Sequence, residues 1–174
     1  MKIVTLRNAL VKLLWEHLGV PVILSDQVQP EAELPYCIYT VTTPYASAGE
    51  LGEYSSTDAE DGGLLEHRRE MPSATFSFTF CSENRTDEHG EEISGADEAE
   101  ELAESAAAYF LHVGYDDFLK LGITVVDVGQ VGDRTTLDVD EAARRKGFDV
   151  RIRYTRTDTR HITTIQTAIT HEKE

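Results

Sequence analysis

The 174-residue chain has only five lysines, two cysteines and one tryptophan, and no apolar run approaching the roughly 18 residues that a membrane-spanning helix needs. The missing run excludes a transmembrane helix of ordinary length. The start, Met1-Lys2-Ile3-Val4, leads into a helical pattern carrying Arg7, Lys12 and Glu16 rather than a signal-peptide core, so the expectation is a soluble, non-secreted protein. Cys37 and Cys81 lack C-x-x-C spacing, which argues against a zinc motif or a disulfide framework and for two buried thiols. Basic residues are in deficit, 16 Lys+Arg against 32 Asp+Glu, for a formal charge of −16. A whole-surface grip on a phosphate backbone is therefore disfavoured. What is present is 40% hydrophobic residues with seven Tyr and six Phe, enough for one domain of ordinary size to bury a core.

Ile3, Leu6, Leu10, Leu13, Leu14 and His17 recur at helical spacing, and Gly19 and Pro21 end that helix. Val22 to Leu24 is a brief strand candidate, and Tyr36 to Thr43 is rich in β-branched and aromatic residues. Residues 72–82 alternate strictly, with Phe76, Phe78 and Phe80 on one face and Thr75, Ser77, Thr79 and Cys81 on the other. The connection from about Tyr45 to Met71 reads as a long loop. After a polar stretch from Glu83 to Gly95, Ala99, Leu102, Ala103, Ala106, Phe110 and Val113 form a second helical stripe, with Ser94 and Asp97 placed to cap it. A short helix from Asp116 to Leu121 leads to a strand over Ile123 to Val128. Phe148, Val150, Ile152 and Tyr154 then alternate with Asp149, Arg151 and Arg153. Thr157-Asp158-Thr159 reads as a turn, with a returning strand from Ile162 to Ile169.

This order predicts an α+β fold: a mostly antiparallel sheet with two main helices packed on one face and a long, partly flexible inter-strand loop. The expected organisation is one domain over 1–170, with acidic loops at about 45–71 and 83–95 and a tail at 171–174.

Catalytic chemistry finds little footing. The six histidines are scattered. No G-x-S-x-G, Walker A or G-x-G-x-x-G occurs, and Asp58 to Glu66 misses the spacing of a calcium loop. The alternative of a small metal-binding module or enzyme would use Asp87, His89 and Glu91, which lack the ligand spacing that fixes a site. No cofactor, metal or catalytic residue is expected.

Charge distribution is more informative. Glu50 to Glu104 holds 17 acidic and 3 basic residues, whereas Arg144 to Arg160 holds seven basic and two acidic ones. One reading is a solvated surface. The other is a basic sheet face, built from Arg144, Arg145, Lys146, Arg151, Arg153, Arg156 and Arg160, that meets an acidic surface of a neighbouring copy. The acidic candidates are Glu50, Glu53, Asp58, Glu60, Asp61, Asp87, Glu88, Glu91 and Glu92. A head-to-tail contact of this kind closes into a ring where the rotation permits.

Leu34-Pro35-Tyr36-Cys37-Ile38-Tyr39, Ser73 to Phe80, Ala106 to Phe110 with Leu121 to Val125, and Arg144 to Tyr154 together resemble the tail-terminator or neck proteins of tailed bacteriophages. The similarity runs from the first helix to about Thr170, outside the two acidic loops. It implies a structural subunit of the virion, assembled in the host cytoplasm into a homo-oligomeric ring, usually six-membered, at the head-proximal end of the tail. Such a ring ends tail-tube growth and joins the tube protein to the head connector. Acidic side chains dominating its inner rim would repel passing DNA, so the expectation is that DNA moves through the lumen without specific binding. A head-closure, connector or tail-tube-like ring subunit is the alternative within the virion. The family supplies no catalytic residues and no membrane partner.

Overall fold

The computed structural model describes residues 1–26, 32–135 and 143–163. Helix α1 (Ile3–Leu18) buries Leu6, Leu10 and Leu14 along one stripe and ends at Gly19, whose left-handed backbone lets its N–H donate to the Trp15 carbonyl at 2.8 Å. Helix α2 (Gly95–Ala108) starts at Ser94, whose hydroxyl accepts from the Asp97 N–H at 3.4 Å. It continues as a π-helical turn (Tyr109–Val113) and is followed by α3 (Tyr115–Lys120).

The main sheet has the order β1 (Val22–Leu24), β2 (Tyr36–Ala46), β5 (Ser73–Ser82), β10 (Arg144–Tyr154), β8 (Ile123–Val128), with β9 (Gly132–Asp133) also on β10. Only β1–β2 is parallel. The register sets Phe78 opposite both Tyr39 and Phe148, and Phe76 opposite Val150, so that the apolar rows of three strands coincide. These rows pack with Leu6, Leu10, Leu14, Ala103, Ala106 and Phe110 into one buried core. Each buried Leu, Val or Phe side chain contributes about 1.5–3 kcal/mol on burial. Both main helices cover the same face. The fold is thus α+β with a dominant antiparallel sheet, as the alternation predicts.

Two segments differ from the sequence expectation. The connection between β2 and β5 is itself built of strands, β3 (Glu53–Asp58) and β4 (Leu64–Glu70), joined by a turn in which Gly62 has φ 81°. The residues Thr157 to Thr159 are not a turn. They belong to β11 (Arg156–Ile162), which pairs with β4 and completes a second, three-stranded sheet of order β11-β4-β3. The physical reason is continuity: β4 runs through Met71 and Pro72 into β5, β10 runs through Thr155 into β11, and the Tyr154 N–H donates to the Pro72 carbonyl at 3.1 Å. One long two-stranded ribbon therefore passes from the main sheet into an arm. The acidic stretch after β5 holds a small hairpin, β6 (Arg85–Thr86) with β7 (Glu92–Ile93). The expected returning strand beyond Thr163, most of the loop before β10 and the tail at 171–174 lie outside the described residues.

Candidate functional site

Alternation and the ribbon's continuation into the arm distribute the seven basic residues over three places. Arg145, Arg151 and Arg153 share the face of β10 turned away from the described helices with Asp149, opposite the hydroxyl row Ser73, Thr75 and Ser77 and the side chain of Cys81 on β5. Arg151 and Arg153 are exposed and make no side-chain hydrogen bond or ion pair with any described residue. Arg144 and Lys146 point to the helix side, where the Lys146 ammonium lies 3.3 Å from Glu100 of α2 and 3.8 Å from Asp133. Arg156 and Arg160 sit in the arm and are satisfied within the chain: Arg156 by Asp158 at 3.0 Å, Arg160 by Glu66 at 2.6 Å.

The arm root is held by Glu70, which is nearly fully buried. Its carboxylate accepts from the Tyr45 hydroxyl at 3.1 Å and from Arg68 at 2.8 Å, and Arg156 stands 3.9 Å away with its guanidinium 5.2 Å above the Tyr45 ring. Beyond it, one arm face carries alternating charge (Glu66, Arg68, Asp158, Arg160). The other carries His67 between two hydroxyls, Thr57 at 3.0 Å and Thr159 at 2.9 Å.

The acidic candidates do not gather into one basin. Glu50, Glu53, Asp58 and Glu60 lie along and beside β3, exposed and without ion pairs among the described residues. Asp61 bonds His161 at 3.0 Å, and that hydrogen bond, with one from the Gly63 N–H, holds its carboxyl below the usual range. Asp87 turns its own hairpin by accepting from the His89 and Glu91 N–H groups, both at 2.8 Å, while Glu88, Glu91 and Glu92 face solvent. His89 and Glu91 thus meet Asp87 through their backbone, and no group of three His, Cys, Asp or Glu side chains among the described residues is placed to hold a metal. Cys37 and Cys81 are buried and not joined in a disulfide, and burial pushes the Cys37 thiol up.

Sequence reasoning missed Arg134. Its guanidinium lies on the open face over Gly147, donating to Ser77 Oγ (2.7 Å), Thr79 Oγ1 (3.1 Å) and the Phe78 carbonyl (3.2 Å), and pairing with Asp149 at 2.8 Å. This pairing, reinforced by Ser77, holds Asp149 below the usual carboxylate range. Gly147, interrupting an otherwise bulky strand, was the available signal, since a strand glycine marks close approach of another group.

The molecule therefore presents an open sheet face, an arm with charge on one side and hydroxyls on the other, and acidic edges: surfaces for partners. A family model described as phage neck terminator protein matches residues 8–174, nearly the whole chain. The chain belongs to that family. It is a structural protein of the bacteriophage virion, located at the neck and tail and associated with other head and tail components. A search of curated proteins found no match. No described helix of this neck terminator is long and apolar enough to cross a membrane. The matched span includes both charged segments and all the strands of the arm.

Proposed function

We propose that this neck terminator assembles in the host cytoplasm into a ring of six subunits on the head-proximal end of the tail, where it ends tube growth and docks the head connector. The observation that carries this reading is the arm. Three strands extend beyond the helix-covered sheet with no buried residue in β3, which suits a neighbour's surface better than solvent. Arg151 and Arg153, without partners inside the described chain, are the cations available to an acidic surface of the next subunit. Arg145 lies on the same face at the start of the strand, and Arg144 beside it faces the helix side. Lys146, Arg156 and Arg160, already paired within the chain, would contribute by shaping that surface.

The exposed carboxylates Glu50, Glu60, Glu88, Glu91 and Glu92 suit an inner rim that repels the phosphate backbone, so that DNA slides through the lumen without being held, while Glu53 and Asp58 of β3 suit an acidic surface that meets the next subunit. Asp61 and Asp87, bonded locally, stiffen the turns that carry them.

The test is oligomer mass by light scattering together with electron microscopy of the purified protein and of tails assembled with it. Closed rings that cap tubes support the proposal, and Arg151→Glu with Arg153→Glu weakens them, as does raised salt. Open-ended stacks would reject termination in favour of a tube-like role. Ring mass indifferent to both the charge reversal and salt would reject the charge-driven contact.

A further inference from the structure

Among the described residues the two outer strands of the arm are free edges of one short sheet, protected by charge alone. Among the described residues β3 and β11 each pair only with β4. Exposed edges are usually protected by brevity, bulges, proline or charged side chains, lysine above all. The main sheet follows that rule: its edge strand β1 has three residues, and the ladder of its other edge, β8, is broken by a register shift opposite Arg151 and Ile152. The arm edges carry charge of both signs but none of the other devices: neither Glu53–Asp58 nor Arg156–Ile162 contains a proline or a lysine, and both ladders to β4 run without a shift.

We infer that the arm is completed by edge pairing between copies, with β3 of one subunit hydrogen-bonded to β11 of the next. This inference rests on the ring reading above and names the strands that would join it. Three observations favour a second copy as the occupant. First, a three-stranded sheet with no apolar face gains little from its own packing, and here the whole of β3 is exposed, so added backbone pairing is the stabilisation open to it. Second, the edges differ in charge: β3 carries Glu53 and Asp58 with Glu50, Glu60 and Asp61 beside it, whereas β11 carries Arg156, Arg160 and His161 around one Asp158. Asp58 makes no side-chain bond among the described residues and lies on the same arm face as Arg160, so it can meet that residue of a neighbour. Third, both edges run antiparallel to β4 and therefore parallel to each other. Rotation about an axis along the strands brings β11 of one copy against β3 of the next in a parallel ladder. That contact is head-to-tail, the kind that closes into a ring.

The experiment uses the full-length chain. Ser55→Cys in one preparation is mixed with Thr157→Cys, Thr159→Cys or His161→Cys in another, and the mixtures are oxidised and run without reductant. These positions share one arm face. Ser55 and Thr159 flank His67 on opposite sides of β4, about two strand spacings or ~10 Å apart, beyond the reach of a disulfide within one chain. The expected result is a covalent dimer in at least one mixture, and none in Ser55→Cys alone or in the wild-type chain, whose own cysteines are buried. In parallel, hydrogen exchange of peptides covering 53–58 and 156–162 is compared between assembled and dilute protein, with both expected to slow about tenfold or more on assembly. Rings whose two edge peptides exchange as fast as in dilute protein, with no cross-link in any mixture, overturn the inference while leaving the ring intact. A cross-link in Ser55→Cys alone overturns the head-to-tail sense. A chain that remains monomeric overturns ring and edge pairing together.

Discussion

Arg85 and Glu98 face each other fork to fork, with both guanidinium–carboxylate contacts at 2.7 Å. The pair ties the β6–β7 hairpin to the first turn of α2, and Ser82 at the end of β5 bonds the same carboxylate, so one side chain joins the sheet, the hairpin and the helix. Bidentate geometry and partial burial place it above an ordinary surface ion pair. Glu98→Ala should cost about 2 kcal/mol, which for a domain of this size lowers Tm by roughly 4–8 °C. Thermal unfolding followed by circular dichroism reads this directly. A change of less than a degree would show the pair to be worth no more than a solvated one.

The same carboxylate gives a pH dependence. The hydrogen bond from Arg85 holds Glu98 below its usual range, and Arg134 does the same for Asp149. A group whose folded pKa is depressed contributes stability that is fully present above its unfolded value, near 4. That stability is lost as pH falls through the folded value. Tm should therefore stay level from about pH 7 to 5 and drop below about pH 4. In Glu98→Gln the acid limb should be shallower. Equal acid slopes in the two proteins would assign the loss to other carboxylates.

Glu70 anchors the arm differently, because its side chain is only 4% exposed and receives Tyr45, Arg68 and the more distant Arg156. Removing one partner of a buried ionic cluster leaves the others unsatisfied. Glu70→Gln should destabilise by about 2–3 kcal/mol, and the effect should be local. Hydrogen exchange in β4 and β11 should accelerate more than in β5, whose pairing rests on phenylalanines. Uniform acceleration over all three strands would mean that arm and main sheet unfold as one unit.

The main sheet and helices were legible because burial wrote a period into them. Phe76, Phe78 and Phe80 alternate with hydroxyl residues, Leu6, Leu10 and Leu14 repeat at helical spacing, and both patterns coincide with buried side chains. The arm was not legible because it buries almost nothing. Glu53 to Asp58 offers no apolar alternation, and Thr157-Asp158-Thr159 has turn chemistry yet lies in a ladder opposite Arg69, Arg68 and His67. Tertiary continuity with β10 overrides that local preference. The basic run misled for a related reason. Neighbours in sequence project to opposite faces of a strand, so Arg151 and Lys146 are parted by the sheet itself, while Arg160 finds Glu66, 94 residues away. Linear charge counts register neither the parity of a strand nor partners brought in by the fold.

Gly147 supplies the sharpest packing test. A Cβ placed there would stand 2.3 Å from the Phe78 carbonyl oxygen and 2.9 Å from Arg134 Cδ, so the clash is with backbone and cannot be relieved by a side chain swinging away. Gly147 lies opposite Thr79 on β5 and Gly132 on β9, between the rows that hold the core and the cradle that receives Arg134. Gly147→Ala must push β10 from β5 or expel Arg134, leaving Asp149 without its partner. The expected cost is about 2–4 kcal/mol, with Asp149 returning toward an ordinary carboxylate pKa, readable by NMR titration. Gly132→Ala is the control, since a Cβ there meets nothing within 4 Å. It should cost well under about 1 kcal/mol. Equal losses from the two substitutions would trace the effect to backbone freedom common to both glycines, not to the close approach of Phe78 and Arg134.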